Sequence, residues 1–385
     1  MKVTRNPNPS IGPRQSSISW SLLAAIVILS GVAGLGQSDV VAQGDVVDPA
    51  SAPLPNPNPR VIKNFGTLPD GRTWGSTAGV DIGPDGQLWA YDRCGANSCA
   101  GSNVDPILKI DRNTGKVLAS FGRGQFVFPH GIHVDRDGNI WITDGRAANE
   151  AELAKFPEAK GKGHTVTKFS PEGKVLLQLG KPGVGARGTD TFLEPNDVIT
   201  TPSGDIFVSD GHSGQNPKAG PDTNARIVKF TRDGKYVKEW GKLGSAPGEF
   251  RTPHALALDS RGRLFVADRG NHRIQIFDQE GKFLEEWKQF SRVSGLFITR
   301  DDMLYAIDSE SSPERHPNWK TGVRVGTTKA DKVLQFIPPH ALPTGAPHGA
   351  AGEGIAVDRD GNVYAAEGPL SRQAAEGGLT KYAKQ

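Results

Sequence analysis

Two histidines and a glutamate occupy matching places in three separate stretches of the chain. FPHGIHVDRDGNIWITDG (128–145) carries His130, TPHALALDSRGRLFVADR (252–269) carries His254, and EGIAVDRDGNVYAAEG (353–368) carries Glu353. Each of these residues heads an alternating apolar run and stands five positions ahead of a polar turn tetrapeptide. Two imidazoles and a carboxylate with a fourth position left open are a donor set suited to a catalytic zinc. A non-haem iron would accept the same set. Polar caps on strand ends beside channel water are the bland alternative. His348, in the same Pro-His-Gly string as residues 129–131, competes with Glu353 for the third place. His133 points to the opposite strand face from His130 and is expected to pack.

Residues so far apart in sequence meet only if a repeat brings them together. Six segments share one template of strand, tight turn and strand: 78–93, 130–145, 196–211, 254–269, 294–309 and 353–368. Apolar residues alternate in each half, which is a hairpin signature. A second hairpin follows most of them, clearest at 107–122, 166–180, 227–241 and 274–288. Four strands per unit make a propeller blade. The fold class is therefore all-β, a six-bladed propeller over residues 60–385. RVIKNFG (60–66) resembles a fourth strand and is expected to complete the last blade, closing the ring and hiding two sheet edges.

In a propeller the first strand of each blade lines the central channel. The residues heading these strands are Ala78, His130, Asn196, His254, Ser294 and Glu353. Blades two, four and six thus contribute His, His and Glu, at about 120° intervals around the axis of a six-bladed ring. The second strand runs back toward this ring, so Arg93, His212 and Arg269, which follow second strands, are expected near it. Arg93 and Arg269 could clamp a carboxylate or pair with the recurrent Asp92 and Asp268. His212 could act as a general base or be a solvated loop residue. The segments 93–106, 145–165, 211–226 and 309–332 are long and fall on this same face, which marks it as the binding face.

The N-terminus reads as a targeting segment. Lys2, Arg5 and Arg14 precede an apolar stretch from Trp20 to Leu35, and Val40-Val41-Ala42 fits a small-residue cleavage site. A signal peptide over 1–42 implies a secreted or periplasmic protein with no stable membrane span after cleavage; an uncleaved anchor is the alternative. Residues 43–59 are proline-rich and read as a flexible linker. Cys94 and Cys99, the chain's two cysteines, are expected to form a small-loop disulfide in an oxidising compartment, with a metal pair as the rival reading. The net charge of +3 is spread thinly, and no basic run carries interleaved aromatics, so nucleic acid is not an expected partner. A monomer acting on a small molecule or a peptide is expected.

GKLGSAPGEFRTPHALALDSRGRLFVADRGNHRIQIFD (241–278) resembles the NHL repeat. The run from Ala78 to Trp287 resembles the peptidyl-α-hydroxyglycine α-amidating lyase domain, most specifically in GVDIGPDGQLWAYDR, FPHGIHVDRDGNIWITDG, PNDVITTPSGDIFVSDG and TPHALALDSRGRLFVADR. The resemblance implies a six-bladed propeller that binds zinc through three strand-head histidines. Two of these match His130 and His254, while the third aligns with Glu353. It implies active-site arginines at Arg93 and Arg269 and a catalytic tyrosine where His212 stands. It also implies a structural Ca2+ held by the carbonyls of Val80 and Ile132 and by a carboxylate, where this chain has Gly354. Two disulfides of the animal enzymes have no counterpart. The reaction implied splits a carbinolamide into an amide and glyoxylate. Two other readings compete: a non-catalytic NHL propeller that binds a peptide, protein or glycan on its loop face, and a lactonase-like metallo-hydrolase.

Overall fold

The computed structural model describes residues 47–340, 351–368 and 378–385. Among them, six four-stranded antiparallel sheets follow one another around a ring. The inner strands are Thr77–Ile82, Pro129–Val134, Pro195–Thr200, Pro253–Leu258, Gly295–Ile298 and Gly354–Val357. In five blades the four strands run in chain order from the channel outward. In the sixth, the outermost strand is Arg60–Ile62, paired with Gly378–Ala383, so an N-terminal strand closes the ring as expected.

The hairpin tips explain why the register repeats so faithfully. In blade two, Asp135 Oδ1 accepts the backbone N–H groups of Asp137 and Asn139 at 3.0 and 2.9 Å. Gly138 takes φ of 84°, a conformation that costs glycine little. Asp259 and Asp358 repeat the arrangement in blades four and six. In five of the six blades the second strand ends in an aspartate, which does a different job. Asp144 accepts from Phe128 N at 2.6 Å, Asp210 from Glu194 N at 2.7 Å, and Asp268 from Arg251 N at 2.8 Å. These buried carboxylates tie the lead-in of each inner strand to its own blade, which fixes the strand heads where His130, Asn196 and His254 sit.

Blades pack on one another through apolar clusters, one at each of the six interfaces. Between blades one and two the cluster includes Trp89, Tyr91, Phe126, Ile140 and Phe169, all buried. This burial, at about 25 cal/mol per Å² of apolar surface removed from water, is the main force holding the ring rigid.

Part of the proline-rich segment is described by the structure. At Asp48, Ala50 and Pro55 it touches blade five. Asp48 is 3% exposed and binds Arg324 Nη2 at 2.8 Å and Lys320 N at 2.8 Å, while Pro55 O accepts from Phe336 N. One buried acid, invisible to composition, holds an otherwise aperiodic stretch. The expected signal peptide and His348 lie outside the described residues. Among those described, no helix is long and apolar enough to cross a membrane.

Candidate metal and catalytic centre

The inner strands bring six heads to one end of the channel, a cavity of about 210 Å³ whose wall includes His130, Asn196, His254, Ser294 and Glu353. His130 and His254 are buried, at 4% and 3% exposure. His130 Nδ1 lies 2.9 Å from Asn196 O, and His254 Nδ1 lies 2.6 Å from Ser294 O. Each carbonyl requires a proton on Nδ1, so the Nε2 lone pair of each ring is free. Neither Nε2 has a hydrogen-bond partner although both are buried. Burial, and after it the neighbouring His212 and Arg93 for His130 and Arg269 for His254, hold both imidazoles well below their usual pKa. Two neutral rings with orphaned lone pairs, each oriented by a backbone carbonyl, are what a metal ligand requires.

The third member of the group is His212, not Glu353. Ligand atoms of His130, His212 and His254 lie within 4.8 Å of one another, and the ring centroids are 4.8 to 5.4 Å apart. His212 arrives from the loop after the second strand of blade three. Glu194 Oε2 fixes that loop by accepting from His212 N and Ser213 N, both at 2.7 Å. Burial, then Arg269, pushes the His212 imidazole down to about 3. Its Nε2 accepts from Arg269 Nη2 at 3.0 Å. The sequence pattern favoured strand heads because only those share one register; a loop histidine carries no such signal.

Glu353 is buried at the head of the blade-six strand, outside this triangle. Its side chain packs against Gly368, where an added Cβ would stand 2.6 Å from Glu353 Cγ. Its charge is felt by Arg93, which burial lowers to about 10 and Glu353 partly restores. Arg93 does not pair with Asp92. It crosses to blade two, donating through Nε to Pro129 O at 2.8 Å and through Nη1 to Asn97 Oδ1 at 2.7 Å, with its guanidinium 3.9 Å from the Phe128 ring. Arg269 likewise leaves Asp268 to Arg273, 2.8 Å away, and turns to His212. Val80 and Ile132 lie in the channel wall beside Gly354. The register position of Gly354 holds a carboxylate in blade three, Asp197, whose oxygens accept from Leu256 N at 2.8 Å and Val198 N at 2.9 Å. Cys94 and Cys99 form a disulfide, closing a loop directly after Arg93.

Three residues near the centre were not singled out from sequence: Phe128, Arg292 and Glu310. Phe128 lies under both Arg93 and Arg146. Glu310 belongs to one of the long loops already assigned to the binding face, which was the available signal.

These features define a six-bladed propeller with a buried polar centre on its loop face. The family model for the NHL repeat matches residues 250–277. A stretch of 177 residues is 38% identical to peptidylglycine alpha-amidating monooxygenase of Rattus norvegicus, covering 44% of this chain and 16% of that protein. Another, of 179 residues, is 34% identical to peptidyl-alpha-hydroxyglycine alpha-amidating lyase 1 of Drosophila melanogaster, covering 43% of this chain and 28% of that protein. The matches thus span less than a third of these relatives' own lengths. Among solved structures, a gluconolactonase from Xanthomonas campestris superposes with a TM-score of 0.51 at 16% identity, over 84% of this chain and 89% of that one. At that identity the likeness concerns the fold alone. The chain is a six-bladed propeller that carries an NHL-repeat match at residues 250–277 and is similar to the amidating lyases over part of its length.

Proposed function

We propose that this protein is a secreted or periplasmic metal-dependent lyase that splits a carbinolamide-like substrate into an amide and glyoxylate. The observation that carries the reading is the pair of buried, unpartnered Nε2 atoms of His130 and His254, with His212 closing the triangle. His130 and His254 would hold zinc, or iron, through their free Nε2 atoms, and His212 would join them on giving up its bond from Arg269. Bound there, the metal would supply Lewis acidity to a substrate hydroxyl, lowering the pKa of that hydroxyl.

The chain's own residues do the rest. With His212 committed to the triangle, the proton acceptor is Glu353, the buried carboxylate at the same end of the channel. It takes the hydroxyl proton as the carbon–oxygen double bond of glyoxylate forms. The carbon–nitrogen bond breaks, its electron pair stays on nitrogen, and that nitrogen takes the proton that Glu353 received, giving the free amide and restoring the carboxylate. Arg93, held by Pro129 O, Asn97 and the Phe128 face, presents a fixed positive charge to the substrate. The disulfide next to Arg93 suits the oxidising compartment that the N-terminal segment implies. The test is glyoxylate release from α-hydroxyhippurate by zinc-loaded protein. Release that His254→Ala abolishes supports the reading; no release by metal-loaded, folded protein contradicts it.

A further inference from the structure

The channel cavity, at about 210 Å³, falls below the roughly 300–1,000 Å³ of pockets that enclose a whole small ligand. It has room for the reacting unit of a substrate, and the rest must lie outside it. A larger groove, of about 610 Å³, opens on the loop face between the disulfide loop after Arg93 and the short helix Glu150–Lys155. Two of its lining residues lead back to the centre. Asn97 Oδ1 accepts from Arg93 Nη1 at 2.7 Å, and the Arg146 guanidinium lies 4.5 Å from the Phe128 ring, whose centroid is 6.4 Å from that of His130. Arg146 also donates to both oxygens of Glu152, at 2.6 and 3.0 Å, and Glu152 closes a capping box with Asn149. The helix is thereby pinned to the residue stacked on Phe128. Just past the helix, half-buried Phe156 lies against Gly101, where an added Cβ would stand 2.1 Å from the Phe156 Cδ1. Lys155 Nζ is 5.0 Å from the centroid of the same ring.

We propose that this groove receives the group on the amide side of the carbinolamide and prefers an aromatic ring there, with Phe156 as the residue that sets the preference. The inference rests on the lyase reading in one respect: which end of the substrate enters the groove. A ring laid against Phe156 gains buried apolar area and an aromatic pair. The Lys155 ammonium adds the attraction of a cation for a ring face. Asn97, its Oδ1 taken by Arg93, keeps two N–H donors for a substrate carbonyl. The disulfide closes one wall and the Arg146–Glu152 pair fixes the other, so the groove is formed before a ligand arrives and little is lost in ordering it. Phe156 lies away from the reacting atoms and acts on specificity alone.

The experiment is calorimetric titration of zinc-loaded, full-length protein with N-acetyl-phenylalanyl-glycine and N-acetyl-alanyl-glycine, which lack the reactive hydroxyl. Wild-type protein is expected to bind the phenylalanyl peptide about tenfold more tightly, the scale of one buried aromatic side chain. Phe156→Ala should weaken the phenylalanyl peptide alone and bring the two affinities to within about twofold. Phe156→Tyr, which keeps the ring, should retain the preference. If Phe156→Ala does not fold, Phe156→Leu keeps a side chain against Gly101, loses the ring face and should cut the preference severalfold. Equal binding of the two peptides to wild type, no binding of either, a preference unchanged in Phe156→Ala, or its loss in Phe156→Tyr overturns the inference. The same peptides ending in α-hydroxyglycine separate it from the lyase reading. A Phe156-dependent binding preference without glyoxylate release would leave the groove standing and sink the lyase reading. Glyoxylate released from both peptides with equal kcat/KM would do the reverse.

Discussion

Replacing Asp48 with alanine should destabilise the propeller far more than its place in a proline-rich leader suggests. Arg324 is fully buried, and Asp48 Oδ1 is its hydrogen-bonded carboxylate at 2.8 Å. Asp308 stands off at 3.8 Å, and Arg324 Nε and Nη1 already lack partners. Its remaining surroundings are the carbonyl of Lys320 at 2.8 Å and the rings of Trp319 and Phe336. Removing one partner of a buried pair leaves the other as an uncompensated charge, at a cost of about 3–5 kcal/mol. For a chain of this size that is a fall of about 4–7 °C in Tm. Calorimetry or circular dichroism on heating reads it directly. The double variant Asp48→Ala/Arg324→Leu should recover much of the loss, because the stranded charge is gone and the aromatic walls accept an apolar side chain. A loss under about 1 kcal/mol in Asp48→Ala, or strictly additive losses in the double variant, would refute the reasoning. The consequence reaches the centre, since Lys320 and Arg324 bound the loop that carries Glu310.

Three further outcomes follow from the same geometry. Gly368→Ala should lower turnover with little loss of metal, because the new methyl would press on Glu353 while leaving the three histidines untouched; unchanged kcat would show that Glu353 is not held in a working position. Arg93→Lys keeps the charge but loses the Nε bond to Pro129 O and the stack on Phe128, so kcat/KM should fall by roughly 10- to 100-fold, about 1.4–2.7 kcal/mol of transition-state binding. His272 and His316, stacked at 3.9 Å, are pushed down to about 4 and about 3, mainly by burial and then by Arg292 for His272 and by His272 for His316. Their folded pKa values lie below those of the unfolded chain, so the unfolded state binds more protons and stability is lost as pH falls from about 6.5 toward 4. His316→Gln should flatten that decline in denaturant midpoints measured between pH 6.5 and 5, above the range where most carboxylates titrate; an unchanged slope would contradict the assignment.

The blades were legible because their cause is local. Alternating apolar runs and polar turns, with a glycine at five of the six tips, recur at fixed offsets, and the copies reinforce one another. The strand heads His130 and His254 were legible for the same reason, since register alone places them on the channel. His212 entered as a neighbour of the ring, but its membership of the triangle depends on how a loop folds back and on Glu194, 18 residues earlier, accepting from its backbone. Glu353 shares the register of His130 and His254, yet blade six packs it against Gly368 on the side of Arg93. Repeat logic shows which residues face a channel, not which of them touch. Asp48 was illegible for another reason: a single long-range pair, 276 positions apart in sequence, outweighs the composition of its segment.

The central claim is that three imidazoles hold a catalytic metal while Glu353 stays free. The most direct measurement is metal content of the purified protein after zinc is offered, compared among wild type, His212→Ala and Glu353→Gln. The account predicts about one zinc per chain in wild type and in Glu353→Gln, and loss in His212→Ala, since three protein ligands define such a site. Zinc lost on changing Glu353 but kept on changing His212, or folded wild-type protein that takes up none, would contradict it.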